Sequence, residues 1–87
     1  MLYRILTENK NRQVVEDIVS AEFPGFTIIE AMGYWNGVRE LSLIIEIDTD
    51  GNEFKGMTVT KIAEMIKRHN QQESVMIQAV MTQNKFV

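Results

Sequence analysis

The chain has 87 residues and a mass of 10.1 kDa, which is room for a single domain over residues 1–87. Nine Lys and Arg stand against twelve Asp and Glu, and 45% of the residues are apolar, too many for a disordered segment. The absence of cysteine excludes a disulfide framework, a zinc-thiolate site and a thiol nucleophile. No apolar run approaches the length of about eighteen residues that a membrane span needs, so we expect a cytoplasmic protein without a membrane partner.

The first two predicted elements are a strand and an amphipathic helix. Residues 2–7 alternate loosely between apolar and polar side chains, which predicts a strand. The segment Glu8–Asn11 supplies turn and N-cap chemistry, because Asn side chains accept hydrogen bonds from free helix amides. Pro24-Gly25 is expected to end the helix that follows. Its apolar side chains recur at helical spacing and are Val14, Val15, Ile18, Val19 and Phe23.

Asn36-Gly37 gives the most specific local prediction, a tight turn between two strands. The pair is preferred in a type I′ turn, where both central residues need a positive φ, and it separates β-rich runs at 26–35 and 38–47. Because a two-residue turn fixes the register, it predicts which residues lie opposite each other. The predicted pairs are Trp35 with Val38, Tyr34 with Arg39, Met32 with Leu41, Ile28 with Ile45, and Phe26 with Ile47.

The predicted register sorts the side chains of the hairpin onto two faces of a sheet. One face is expected to be the core and carries Phe26, Ile28, Met32, Leu41, Leu43, Ile45 and Ile47. The other face mixes apolar residues with Glu40, Ser42 and Glu46. A face meant only for water would not normally hold four large apolar side chains, so we expect it to be half-buried against another copy of the chain. These oligomer-interface candidates are Ile29, Trp35, Val38 and Ile44.

A polar loop at 48–56, a second helix and a fourth strand at 74–82 complete the chain. The helix is predicted to begin at Met57 or Thr58 and to fray through residues 69–72. Its apolar stripe consists of Val59, Ile62, Ala63 and Ile66. The order β-α-β-β-α-β, with right-handed crossovers, builds a four-stranded antiparallel sheet with two helices on one face. The predicted class is therefore α+β, a ferredoxin-like sandwich.

Two features imitate metal sites without completing one. Residues 48–53 begin like a calcium loop, but Glu53 stands where an EF-hand needs glycine and Val59 where it needs a bidentate glutamate. His69 is the only histidine, and a metal site would need at least two more ligands, for which Glu73 is the nearest candidate. We therefore predict a turn at 48–53, a solvated helix end at His69, and no metal, cofactor or catalytic site.

The tip of the hairpin carries the candidate ligand-binding residues, which are Gly33, Tyr34, Trp35, Arg39 and Glu40. Two interpretations remain open: the aromatic side chains pack on a neighbour, or the tip lines a cleft between subunits. RNA-recognition domains share this topology but need a basic surround. Residues 40–53 hold five acids and no base, so no nucleic-acid partner is expected.

Several short segments resemble the PII-like superfamily and its CutA-type relatives. Residues 26–33 (FTIIEAMG) are similar to the PII segment that leads into a long flexible loop. Residues 34–37 (YWNG), with Glu40 and the Leu-Ile-Ile at 43–45, resemble the aromatic-Trp-x-Gly…Glu…Leu-Ile-Ile hairpin of the CutA type. The helix ending in His69, with Glu73 and Val75 at the start of the fourth strand, is also CutA-like. The resemblance implies a trimer whose sheets face inward and whose ligand sites lie in clefts between subunits.

The chain also departs from that superfamily. PII proteins insert a long loop where this chain has a two-residue turn, and they carry a glycine-rich phosphate loop where it has residues 70–73 (NQQE). These departures argue against ATP and 2-oxoglutarate sensing, and the absence of cysteine argues against copper chemistry of the CutA type. We expect a non-enzymatic homo-oligomer, a trimer, that binds a small ligand or a partner protein. The alternatives are a purely structural interaction module, and a small enzyme for which His69, Glu30, Glu40 and Glu46 are available.

Overall fold

The computed structural model describes residues 1–49 and 54–87, with strands and helices in the order β-α-β-β-α-β. The elements are β1 (Leu2–Glu8), α1 (Arg12–Ser20), β2 (Thr27–Trp35), β3 (Val38–Asp48), α2 (Phe54–Asn70) and β4 (Met76–Val80). The strands form one antiparallel sheet in the order β2-β3-β1-β4, and the helices pack on one face of it. This architecture confirms the α+β ferredoxin-like prediction. None of the described helices is long and apolar enough to cross a membrane.

The hairpin of β2 and β3 has the predicted turn and register. Asn36 and Gly37 have φ angles of 51° and 75°, the two positive values that a type I′ turn requires. Trp35 lies opposite Val38, and the pairing continues without a bulge to Thr27 opposite Glu46. The predicted pairs within the two strands are therefore confirmed. Phe26 precedes the first residue of β2, so its predicted pairing with Ile47 lies beyond the strand pair.

The core lies between the two helices and the middle of the sheet. Alternate residues of the two central strands point toward the helices, and the predicted stripe of α2 packs against them. Fully enclosed side chains come from β1, β3, α1 and α2; they are Ile5, Leu43, Ile45, Ile47, Val15, Val19, Val59, Ile62 and Ile66. Ile28 and Phe26 pack at the margin of this cluster. No described buried polar side-chain atom is without a hydrogen-bond partner.

Three residues predicted to be in the core are exposed. Met32 and Leu41 lie on the helix-facing side of the hairpin but keep 48% and 63% of their surface exposed. They are exposed because β1 is shorter than the hairpin. β1 ends with Glu8 opposite Ser42, and the last backbone hydrogen bond to β3 runs from the Asn9 amide to the Leu41 carbonyl, 3.0 Å away. Residues 31–41, here called the hairpin tip, therefore project past the neighbouring strand. Val14 of α1 is also exposed, unlike the other predicted residues of its face.

The predicted ends of the helices need correction. α1 ends at Ser20 rather than at Pro24-Gly25, although the Phe23 amide still donates to the Val19 carbonyl in a continuing turn. α2 begins at Phe54, earlier than the predicted start at Met57 or Thr58. The prediction was late because Gly56, which has a low helix propensity, lies inside the first turns of the helix. β4 is shorter than predicted and spans Met76–Val80. The calcium-like run at 48–53 lies mostly outside the described residues, which omit 50–53.

Gly56 lies where α2 crosses Tyr3 of β1, and this contact yields a stability prediction. A Cβ at position 56 would lie 2.8 Å from the Tyr3 hydroxyl oxygen but 3.5 Å from the ring carbon that bears it. Gly56→Ala should therefore clash in the native protein, whereas in a Tyr3→Phe background it should stabilise the helix by up to about 1 kcal/mol. Urea unfolding of the two single variants and the double variant measures the coupling. An equal effect of Gly56→Ala in both backgrounds would contradict the prediction.

Candidate functional site

The face of the sheet opposite the helices, here called the open face, carries an apolar row that crosses all four strands. Ile29 lies opposite Ile44, Ile44 is paired with Leu6 on its other side, and Leu6 is paired with Met76. Ile29 and Met76 are 41% and 55% exposed, while Ile44 and Leu6 are half-buried. Ile29 and Ile44 of this row were predicted from the hairpin pattern, whereas Leu6 and Met76 were not. The alternation of β1 places Leu6 on the open face, because Ile5 and Thr7 face the core.

Polar residues flank the apolar row on one side. Arg4 of β1 and Glu46 of β3 are directly opposite, and the Arg4 Nε lies 2.8 Å from a Glu46 carboxylate oxygen. On the other side of the row, toward the hairpin tip, Trp35 and Val38 remain 72% and 65% exposed. The open face is thus apolar in the middle and at the tip.

A groove of about 610 Å³ runs along the open face between the hairpin tip and the loop that joins α2 to β4. Leu6, Ile44 and Met76 contribute apolar side chains to its lining. Gly33 also lines it, and a Cβ at this position would lie 3.0 Å from the Ser42 hydroxyl oxygen on the adjacent strand. The absence of a side chain there leaves room in the groove. Its volume lies within the range of about 300–1,000 Å³ that is common for small-molecule sites.

Four of the five predicted ligand-binding residues line this groove together. They are Gly33, Tyr34, Trp35 and Glu40. Arg39 is exposed on the hairpin opposite Tyr34 and does not line the groove. Outside the hairpin, the lining residues that sequence reasoning missed come from the end of β1, from Lys10, from the loop at 71–74 and from Met76 of β4. Only the sheet order brings these segments beside the hairpin tip.

The loop at 71–74 forms one wall of the groove and is held by an ordered helix end. Gln71 has a positive φ of 55°, its amide donates to the Arg68 carbonyl, and the Gln72 amide donates to the Lys67 carbonyl. These two bonds define a Schellman motif, which satisfies carbonyls that a helix end leaves free. The predicted fraying of residues 69–72 is therefore wrong. His69 lies in this last turn and is exposed, where an imidazolium would complement the helix dipole.

A side-chain network fastens the same loop to β1 and α1. The side-chain oxygen Oε1 of Gln72 accepts hydrogen bonds from the Thr7 hydroxyl at 2.6 Å and from the side-chain nitrogen Nδ2 of Asn70 at 2.8 Å. The Asn11 side chain donates to the side-chain oxygen Oδ1 of Asn70 at 3.1 Å. Asn11 is the N-cap residue of α1, but it has a positive φ and makes no side-chain cap bond, so its predicted capping role is wrong. Its side chain instead joins the start of one helix to the end of the other.

Carboxylates outnumber basic side chains around the groove. Glu8, Glu40 and Glu73 line it together with Lys10, whose ammonium nitrogen lies 3.1 Å from a Glu8 oxygen. The other acids considered for an enzyme lie elsewhere: Glu30 forms an ion pair with Arg12, and Glu46 is paired with Arg4. Among the described residues, no three His, Asp or Glu side chains cluster as a metal site.

A comparison with known protein families shows to which family the chain belongs. Residues 3–86 match the model of a family described as "Protein of unknown function (DUF3574)". The chain belongs to the DUF3574 family. No curated protein matches this DUF3574 chain.

Two solved structures share its fold. A structure titled "Phage SAM lyase in apo state" aligns with a TM-score of 0.66 and 21% identity, covering 87% of the DUF3574 chain and 75% of the other. A structure titled "De novo designed protein Foldit4" aligns with a TM-score of 0.54 and 21% identity, covering 94% of each chain. At this identity, the likeness shows the ferredoxin-like fold of the DUF3574 protein and nothing about its chemistry.

The network around Gln72 yields a second prediction. Gln72→Leu removes the acceptor of the Thr7 hydroxyl and the Asn70 amide, and both residues are about 95% buried. Leaving buried polar groups unpaired should lower the free energy of unfolding by about 1–3 kcal/mol. Gln71→Gly is the control in the same loop, since glycine adopts the positive φ more readily and should preserve or raise stability. Urea unfolding at neutral pH compares the two, and equal stabilities would contradict the prediction.

Proposed function

We propose that this protein is a homo-oligomeric binding protein of the PII-like kind, a trimer that takes a small ligand in the groove beside the hairpin tip. The observation that carries the proposal is the open face, where an apolar row runs beside a groove and neither helix covers it. The oligomer would form through Ile29, Trp35, Val38 and Ile44, which all lie on the hairpin of β2 and β3. The role is one of binding and signalling rather than catalysis.

Assembly would bury apolar side chains that a single chain leaves exposed to water. Full burial of one large apolar side chain is worth about 1.5–3 kcal/mol. Ile29, Trp35 and Val38 each keep at least 41% of their surface exposed, so much of that stabilisation is missing in a single chain. The total stability of a small domain is only about 5–15 kcal/mol, so covering this face is a substantial gain. A second copy supplies a matching surface without requiring another partner.

The groove supports a ligand-binding role beside assembly. Its lining mixes apolar side chains with polar and charged ones from the hairpin and from the loop at 71–74, and such polar groups fix the orientation of a bound ligand. Leu6 and Met76, at the β1 and β4 end of the apolar row, also line the groove, so that a neighbouring subunit packed on the hairpin would border it. A purely structural module would need the apolar row but not the groove.

An enzymatic role is the second candidate, because the fold is shared with a structure named as a SAM lyase. Of the three acids that the sequence offered for this role, Glu40 is the one that lines the groove, while Glu30 and Glu46 are in ion pairs with arginines. Incubation of the protein with S-adenosylmethionine (SAM), followed by product analysis, tests this role. Protein-dependent breakdown of SAM would replace the binding function with a catalytic one.

The oligomer is tested by light scattering at micromolar concentration. We expect a mass of three times the 10.1 kDa chain for the native protein. Ile44→Asp should abolish the assembly and give monomer or insoluble protein, because it places an unpaired charge in the interface. Met57→Asp is the matched control, since Met57 is 72% exposed on α2, in the layer on the other side of the sheet.

Two results would contradict the oligomer. One is a native chain that runs as a 10.1 kDa monomer. The other is an Ile44→Asp variant that keeps the native mass, which would move the interface away from the open face.

A further inference from the structure

We infer that the groove selects an organic cation that carries a flat ring. This inference rests on the proposed function, because it names the ligand class of the same groove. Its basis is the combination, in one cavity, of an aromatic side chain with carboxylates that have no ion-pair partner among the described residues. The residues concerned are Glu40, Glu73 and Trp35.

The charge of the groove favours a cation. Glu40 and Glu73 line the groove and, among the described residues, have no ion-pair partner. Lys10 is the one basic side chain in the described lining, and Glu8 lies 3.1 Å from it. A phosphate or carboxylate ligand would therefore meet repulsion from two carboxylates without a free basic partner.

The end of α2 adds to the same preference. The 17-residue helix ends at Asn70, immediately before the loop that lines the groove, so the negative end of its dipole lies beside the cavity. The basic residues of its last turn, Lys67, Arg68 and His69, are exposed and none of them lines the groove. A helix C-terminus stabilises cations, whereas phosphate sites use helix N-termini.

Trp35 determines the second part of the ligand class, the flat ring. It lines the groove with 72% of its surface exposed. Aromatic faces attract organic cations, and tryptophan does so most strongly. Gly33 adds no side chain to the same face of the hairpin, which leaves space for a flat ring over the half-buried Leu6.

The test compares ligands that share a ring and differ in charge. One series is SAM, S-adenosylhomocysteine and ATP, which all contain adenosine; the other is benzyltrimethylammonium and phenylacetate. Trp35 is the only tryptophan, so its fluorescence reports changes at the hairpin tip, and light scattering of the same samples shows whether the oligomer changes as well. We expect at least one cation to change this emission and to bind roughly tenfold more tightly than the uncharged or anionic members of its series.

Two variants that remove the same charge at different places test whether the groove is where the cation binds. Glu40→Gln removes a carboxylate of the groove and should weaken binding of the cation several-fold. Glu64→Gln makes the same change at an exposed position of α2 and should leave binding unchanged. If both variants weaken binding equally, net charge rather than the groove is responsible, and the inference is wrong.

The remaining outcomes separate this inference from the proposed function. If ATP or phenylacetate changes the Trp35 emission more strongly than the cations do, the groove is a binding site but the cation class is overturned. If none of the five compounds changes it, the cation class is overturned as well, while light scattering still decides the oligomer independently.

Discussion

The turn at Asn36-Gly37 determines which side chains of β2 and β3 face the helices and which lie on the open face. Because side chains alternate along a strand, a shift of one residue would send Ile45 and Ile47 to the open face and Glu46 into the core. The two positive φ angles allow only one way of joining β2 to β3, and the long pairing from Trp35 back to Thr27 follows from it. The core, the apolar row and the groove are all consequences of that register.

The groove exists because the strands have unequal lengths. β3 has 11 residues and β1 has 7, so the hairpin continues beyond the end of its neighbour. The loop at 71–74 then faces the projecting tip across the end of β1. Its position is fixed by the Schellman motif and by the bonds of Gln72 to Thr7 and Asn70. One wall is therefore a rigid helix end, and the other is a two-stranded ribbon.

The sequence was informative where a single local rule decides the structure. Asn36-Gly37 predicted the register, and the spacing of Val59, Ile62 and Ile66 predicted the buried stripe of α2. Prediction failed where distant segments decide exposure. Met32 and Leu41 have the pattern of core residues, but the relative lengths of β1 and β3 leave them uncovered.

The candidate site was predicted only on the hairpin, since residues adjacent in sequence share a local pattern there. Gly33, Trp35 and Glu40 lie together, as expected for one hairpin tip. Leu6, Met76 and the loop at 71–74 join them through the sheet order, which a hydrophobic pattern does not encode. Asn11 shows the same limit at a smaller scale: its type fits an N-cap, but tertiary contact with Asn70 directs its side chain elsewhere.

The projecting hairpin also leaves a length of β3 backbone open for pairing. Among the described residues, no strand pairs with β3 on its β1 side beyond the Asn9 amide, and since backbone groups alternate between the two sides of a strand, Arg39 presents its amide and carbonyl there. Such an edge is a template onto which an extended segment of another chain can add as a strand. The charged side chains of Arg39 and Glu40 at this edge oppose indiscriminate addition, because a partner strand must match both charges. The same backbone that shapes the groove is therefore a site for strand addition beside the outer edges of β2 and β4, with which no described strand pairs.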